Sequence, residues 1–150
     1  ALRKAEIGNV TQFLHCLPRK SAQDVVAAPL VEAGESPAVA RQSAAKLLAR
    51  LNVPPHLWAV APATFSGGEQ QRINLARGLI RPVRLLLLDE PTASLDPVSR
   101  ERAISVLREL KANGTAMLAI FHDPALVDAL ADGEVRVQPH PEQLTEENAQ

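Results

Sequence analysis

The sequence predicts an α/β chain built on a mainly parallel sheet flanked by helices, with a helical insertion, and three observations predict it. Two apolar runs, Leu85-Leu86-Leu87-Leu88 and Met117 to Phe121, are continuous rather than alternating. That is the pattern of parallel strands covered on both faces. Segments with apolar residues at helical spacing stand between these runs, and strand alternating with helix is the mark of an α/β fold. Three helical segments open with a cap residue followed by proline, at Ser36-Pro37, Asp96-Pro97 and Asp123-Pro124.

Taken in order, Ile7 to Gln12 reads as a strand running into a loop. A helix follows between Pro18 and Pro29, capped by Ser21, with Asp24 placing negative charge near its N-terminus and Ala22, Val25, Val26 and Leu30 on one face. The next helix starts at Ser36-Pro37 and carries Val39, Ala40, Ala44, Leu47, Leu48 and Leu51 at a period of about 3.6. It ends before Pro54-Pro55. Leu57 and Trp58 pack under a loop leading to Phe65, with core packing favoured over an interface role for Trp58. After Asp96-Pro97 a helix presents Ala103, Val106, Leu107 and Leu110, and Asn113-Gly114 closes it. Asp123 caps a short helix with Leu126, Val127 and Leu130, ended by Gly133. Val135 to Val137 reads as a final edge strand. We read residues 1–12 and 82–138 as the core part, 13–81 as a helical subdomain and 139–150 as a flexible tail.

Composition bounds the partners. The 150 residues suit one domain, with 46% apolar and 22% charged residues as in ordinary soluble chains. The formal net charge of −1 offers no basic excess for a nucleic-acid partner. No apolar run reaches membrane-spanning length and no charged-then-apolar leader opens the chain. Cys16 is alone, so no intrachain disulfide forms, and a reducing, cytoplasmic setting is expected. His15, His56 and His140 show no metal-type spacing.

The chain is organised around Ser66 to Asp96, SGGEQQRINLARGLIRPVRLLLLDEPTASLD. Ser66 caps a helix and Glu69, three residues on, completes a capping box. Ile73, Ala76 and Ile80 give that helix a buried face, and Arg81-Pro82 stops it. The strand Leu85–Leu88 then ends in two carboxylates, Asp89 and Glu90, where open parallel sheets bind ligands.

SGGEQQR resembles the signature motif of ABC-type ATPases, and LLLLDEP resembles their Walker B strand with its following glutamate. Ser94-Leu95-Asp96 resembles the D-loop, His122 the switch histidine and Gln12 the Q-loop glutamine. Five motifs stand in the family's order. The resemblance implies a P-loop NTPase fold with ATP and Mg²⁺ as cofactors. By it, Asp89 holds Mg²⁺ through a water shell, with Gln12 sensing the ion and the γ-phosphate. Glu90 polarises the attacking water and His122 holds the γ-phosphate, as the catalytic pair. Ser66, Gly67, Gly68 and Glu69 form a helix-N-terminal anion site that closes over ATP held by a second ABC ATPase subunit in a head-to-tail dimer. Ser94 and Asp96 lie at the same seam.

No GxxxxGK[ST] sequence occurs. The loop that cradles the phosphates lies upstream of the Q-loop in the family. The expectation is therefore the C-terminal part of a longer ATPase, which alone neither binds ATP tightly nor turns it over. The absent strand would normally sit inside the sheet, so the chain is expected to expose unpaired strand edge and to self-associate or be marginally stable.

A finer resemblance, to the PhnL-type ATP-binding proteins of the carbon–phosphorus lyase (phosphonate) system, rests on three stretches. They are VTQFLHCLPRKSAQDVVAAPLVEAG, RLNVPPHLWAVAPATFSGGEQQRINLARG, and LLLLDEPTASLD with IFHD. It implies partners among the subunits of that lyase complex. Two alternatives stay open. One is the ATP-binding subunit of a transporter, docked on a membrane permease and peripheral to the inner membrane. The other is a non-catalytic relic that supplies only the signature surface.

Overall fold

The structure is a computed structural model that describes residues 6–11, 19–135 and 137. Its sheet has three parallel strands in the order β1 (Ile7–Val10), β2 (Leu85–Asp89) and β3 (Ala116–Ile120). Between β1 and β2 stand α1 (Ala22–Glu32), α2 (Pro37–Arg50), two short 3₁₀ turns and α3 (Gly67–Leu79). A fourth helix, α4 (Pro97–Ala112), connects β2 to β3, and α5 (Pro124–Leu130) follows.

The helices start where local hydrogen bonding dictates. Ser21 Oγ accepts from the Asp24 amide at 3.1 Å and Ser36 Oγ from the Val39 amide at 3.4 Å. Asp96 and Asp123 cap α4 and α5, accepting from Ser99 and Ala125 at 3.0 Å each. Each cap satisfies a donor that the first turn leaves without an intrahelical partner. Pro29 does not end α1, which runs through it to Glu32. Pro29 has no amide to donate to the Val25 carbonyl, so α1 runs through it with that one helical hydrogen bond missing.

α1 packs on both α2 and α3, α3 lies against β1, and α4 meets α5. Val10, Val26, Leu48, Leu51, Ile73, Leu75, Leu86 and Leu107 are fully buried at these junctions. The approach of α3 to β1 depends on one residue. A Cβ at Gly78 would lie 2.3 Å from Val10 Cγ2 and 3.1 Å from the Asn9 carbonyl oxygen. Trp58 is half-buried against the core, with Nε1 donating to the Val53 carbonyl at 2.9 Å, which is the packing role expected of it. Val39 is exposed instead of buried, because α2 turns Ala40, Ala44 and Leu48 inward.

The strands pair directly with one another, Val10 with Leu88 and Leu87 with Leu118. The sides of β1 and β3 away from β2 carry no further strand among the described residues. One expectation about the sheet is corrected, since the strands are not covered on both faces. Residues two apart share a face, so Ile7, Leu85, Leu87, Leu118 and Ile120 line one side of the sheet. Leu118 and Ile120 are 67% and 58% exposed there, and Ile7 is 39% exposed. The opposite side buries Val10, Leu86 and Leu88.

Val135 and Val137 are exposed and belong to no strand, since neither finds a neighbouring strand to pair with among the described residues. Gln12, His15, Cys16 and the tail at 139–150 lie outside the described residues. No helix among the described residues is long and apolar enough to cross a membrane.

Candidate functional site

The parallel register sets the site. Asp89, the last residue of β2, pairs with Ile120, the last of β3, so both strands end at one level. Glu90 follows β2 and His122 stands two residues beyond β3. The Glu90 amide donates to the Ile120 carbonyl at 3.1 Å, tying the two strand ends together. Glu90 adopts φ +44, a left-handed conformation uncommon for a residue with a side chain. Such strain persists only where surrounding contacts impose it.

His122 Nε2 lies 2.6 Å from Glu90 Oε1. The imidazole is 80% exposed while the carboxylate is 22% exposed. A cavity of about 300 Å³ opens beside the pair, lined among others by Thr92, Arg100, Phe121 and Asp123. Asp89 is exposed at the strand end. Among the described residues no group of three or more His, Cys, Asp or Glu converges as a protein-built metal cage. A single exposed carboxylate suits Mg²⁺, which keeps most of its waters and takes one or two carboxylates.

The signature turn is built as its residues predict. Ser66 Oγ accepts from the Glu69 amide at 3.3 Å, and Glu69 Oε2 accepts from both the Ser66 amide and the Ser66 hydroxyl at 2.8 Å. The Ser66 amide, followed by its hydroxyl, holds the Glu69 carboxyl below its ordinary range. A Cβ on Gly68 would stand 3.0 Å from the Ser94 carbonyl oxygen, so the turn rests directly on the D-loop segment. Nothing lies within 4 Å of the corresponding position on Gly67. Ser66, Gly67 and Gly68 do not line the Glu90–His122 cavity. Within this chain, therefore, the turn and the cavity are separate, and the segment from Pro91 to Asp96 lies between them.

Asp96 caps α4 and lies 3.8 Å from Arg72. Hydrogen bonds from the Ser99 side chain, then the Ser99 amide, lower the Asp96 pKa, and the Arg72 charge adds to them.

Three polar residues of α3 complete the site and were not singled out from sequence. Gln71, buried, donates from Nε2 to the Pro91 carbonyl at 3.1 Å, one residue beyond Glu90. Asn74, also buried, donates from Nδ2 to the Thr11 carbonyl, the residue before Gln12. Arg72 reaches Asn52 and Ser99. Their polarity among the apolar positions of α3 was the available signal.

Comparison with known proteins agrees with this geometry. Residues 1–93 match the family model described as ABC transporter. The lipoprotein-releasing system ATP-binding protein LolD of Idiomarina loihiensis is 40% identical over 134 residues, covering 89% of this chain and 58% of that protein. The macrolide export ATP-binding/permease protein MacB of Chromobacterium violaceum is 40% identical over 141 residues, covering 90% of this chain and 22% of that protein. The chain thus spans little more than half of one relative and about a fifth of the other. A solved dimer of an ATP-binding cassette, in a post-hydrolysis state with ADP and Pi, superposes with a TM-score of 0.78 at 26% identity. That match covers 85% of this chain and 57% of the cassette. The relatives named are export and lipoprotein-release proteins, and the phosphonate reading finds no support among them.

Proposed function

The chain belongs to the ABC transporter family, with its P-loop NTPase fold, and from that premise we propose that it is part of the ATP-binding subunit of a membrane transport system. The observation that carries the reading is the Glu90–His122 contact at neighbouring strand ends, with the signature turn seated on Ser94 beside it. The resemblance to the export and lipoprotein-release relatives supports a membrane permease as partner, in place of a carbon–phosphorus lyase complex. A place at the cytoplasmic side of the membrane follows from that partner. We keep the division into a core part (1–12 and 82–138), a helical subdomain (13–81) and a tail (139–150) as part of the proposal.

The chain's own residues would contribute as follows. Asp89, together with Gln12, would hold Mg²⁺ through water, and the ion would neutralise charge on the phosphates. Glu90 orients a water molecule. A carboxylate has about four lone-pair sites, so the contact from His122 leaves room for the water. The same contact limits how the carboxylate can rotate, and a fixed direction is what in-line attack requires. In the imidazolium form both ring nitrogens of His122 donate, one to Glu90 and the other to a phosphate oxygen. Ser66, Gly67 and Gly68 offer amides at a helix N-terminus to the phosphates of ATP on a second subunit. The open space above Gly67 suits that approach, and Ser94 and Asp96 flank it.

The test is to mix this chain with an intact cassette of the family in Mg²⁺ and ATP. The chain should raise turnover per intact cassette, and Ser66→Arg in this chain should remove the increase. An unchanged rate with the wild-type chain would mean that it contributes no signature surface in trans, and would overturn this reading.

A further inference from the structure

We propose that Arg72 is a positioning residue that sets the placement of Asp96 from the helical insertion, with Ser99 and Asn52 as the relay. Arg72 lies on α3, and its side chain is only 12% exposed. Nη1 donates to the Asn52 carbonyl at 3.0 Å and to Ser99 Oγ at 2.9 Å. Asn52, just past the end of α2, donates from Nδ2 to the same Ser99 Oγ at 3.1 Å. Ser99 itself is buried on the first turn of α4, and its amide donates to Asp96 Oδ1 at 3.0 Å. Three segments therefore meet at one hydroxyl.

A hydroxyl has two lone pairs and one proton. Arg72 and Asn52 occupy both lone pairs and so fix the Ser99 side chain, while the Ser99 amide holds Asp96. Donors on the oxygen anchor the first turn of α4, and with it the amide that Asp96 accepts from. The node is costly in other respects. Asn52 sits at φ +62, and Arg72 Nε is buried without a hydrogen-bond partner. A brace between α2 and α3 alone would not need to converge on the residue that holds Asp96. A shift of α2 against α3 moves Asn52, changes the donors on Ser99 and so changes the hold on Asp96.

The meaning of Asp96 as a seam residue rests on the ATP-binding reading, whereas the geometry can be tested without turnover. The two failures are therefore separable. The experiment is an NMR titration of the Asp96 side-chain carboxyl, with amide exchange at Ser99, in the wild-type chain, Arg72→Lys, Asn52→Gly and Ser99→Ala. Glycine takes positive φ readily, so Asn52→Gly removes the amide and leaves the turn. Wild-type Asp96 should titrate below its ordinary value of 3.8. All three variants should move its midpoint upward. The shift with Asn52→Gly is decisive, because the Asn52 side chain bonds Ser99 and reaches Asp96 only through it. In Arg72→Lys the Ser99 amide should exchange roughly tenfold faster, as for the loss of a hydrogen bond from a charged group. Asp24, held by Arg41 elsewhere, should keep its wild-type midpoint. An unmoved Asp96 midpoint in Asn52→Gly would overturn the relay, as would equal shifts at Asp96 and Asp24. If Arg72→Lys fails to fold, Asn52→Gly and Ser99→Ala decide alone.

Discussion

Two glycines of α3 behave oppositely although they sit on one helix. Replacing Gly78 by Ala gains helix propensity, about 1 kcal/mol. It also forces a methyl to within 2.3 Å of Val10 Cγ2 and 3.1 Å of a backbone oxygen. Overpacking of this kind costs about 1–3 kcal/mol, and with backbone on one side the clash wins. Gly78→Ala should lower the urea midpoint of the chain. Gly67→Ala meets open space and a permitted backbone, so it should raise that midpoint by about 0.4–1 kcal/mol of stability. If Gly67 serves phosphate approach, the same variant should still lose the gain in turnover seen on mixing with an intact cassette. Ser66→Ala removes the α3 cap and should cost about 1 kcal/mol, read by the same urea titration. These residues were not equally legible. Ser66 and Glu69 announce themselves because a capping box is a contact within one turn. Gly78 does not, since its reason is a strand in β1 that is 68 positions away from it along the chain.

At the scale of the elements, helix starts are coupled to pH. The carboxylates of Asp24, Glu69 and Asp96 are all held below their ordinary values. Arg41 is the chief cause at Asp24, the Ser66 amide at Glu69 and the Ser99 side chain at Asp96. A depressed folded-state pKa means the folded state prefers the ionised group. The stability it adds is complete above the unfolded value and is lost as pH falls through the folded value. For these three groups the loss therefore begins near the ordinary 3.8 to 4.5 and continues below it. The melting temperature should stay level from neutral pH to about pH 5 and fall from there. In Glu69→Gln the acid decline should be shallower, because one of the titrating groups is gone. A decline as steep as in the wild type would remove Glu69 from the account. The strands teach a different lesson at this scale. Continuous apolar runs in β2 and β3 fit a sheet covered on both faces, yet β3 leaves Leu118 and Ile120 exposed. A run without alternation carries no mark of which face is covered.

For the whole molecule, the uncovered face is the main feature. Ile7, Leu85, Leu87, Leu118 and Ile120 share one face of the sheet with Asn9 and Asp89, and Leu118 and Ile120 stand exposed on β3, whose outer side pairs with no further strand among the described residues. Apolar faces and open strand edges both promote association. The 150-residue chain alone should therefore sediment as a concentration-dependent oligomer, and Leu118→Lys with Ile120→Lys should shift it toward monomer. A monomer at all concentrations, for the unmodified chain, would contradict that reading. The self-association expected from an unpaired strand edge gains a second source in the exposed face of the sheet.

The sequence by itself determined what depends on neighbours along the chain. Caps at Ser21, Ser36, Ser66, Asp96 and Asp123 lie where side chain and amide are two or three residues apart. The ordered motifs, from SGGEQQR to His122, were enough to indicate the family, because each keeps its chemistry in a short segment. The finer phosphonate resemblance was not sustained, since the motifs it shares with transport relatives do not encode the partner. Only the tertiary structure decided which segments meet. Arg72, Asn52 and Ser99 converge across separations of 20, 27 and 47 residues. Glu90 finds His122 because β2 and β3 pair in register. Contacts of that range follow from how helices and strands pack, and packing is a property of the whole chain that no local pattern records.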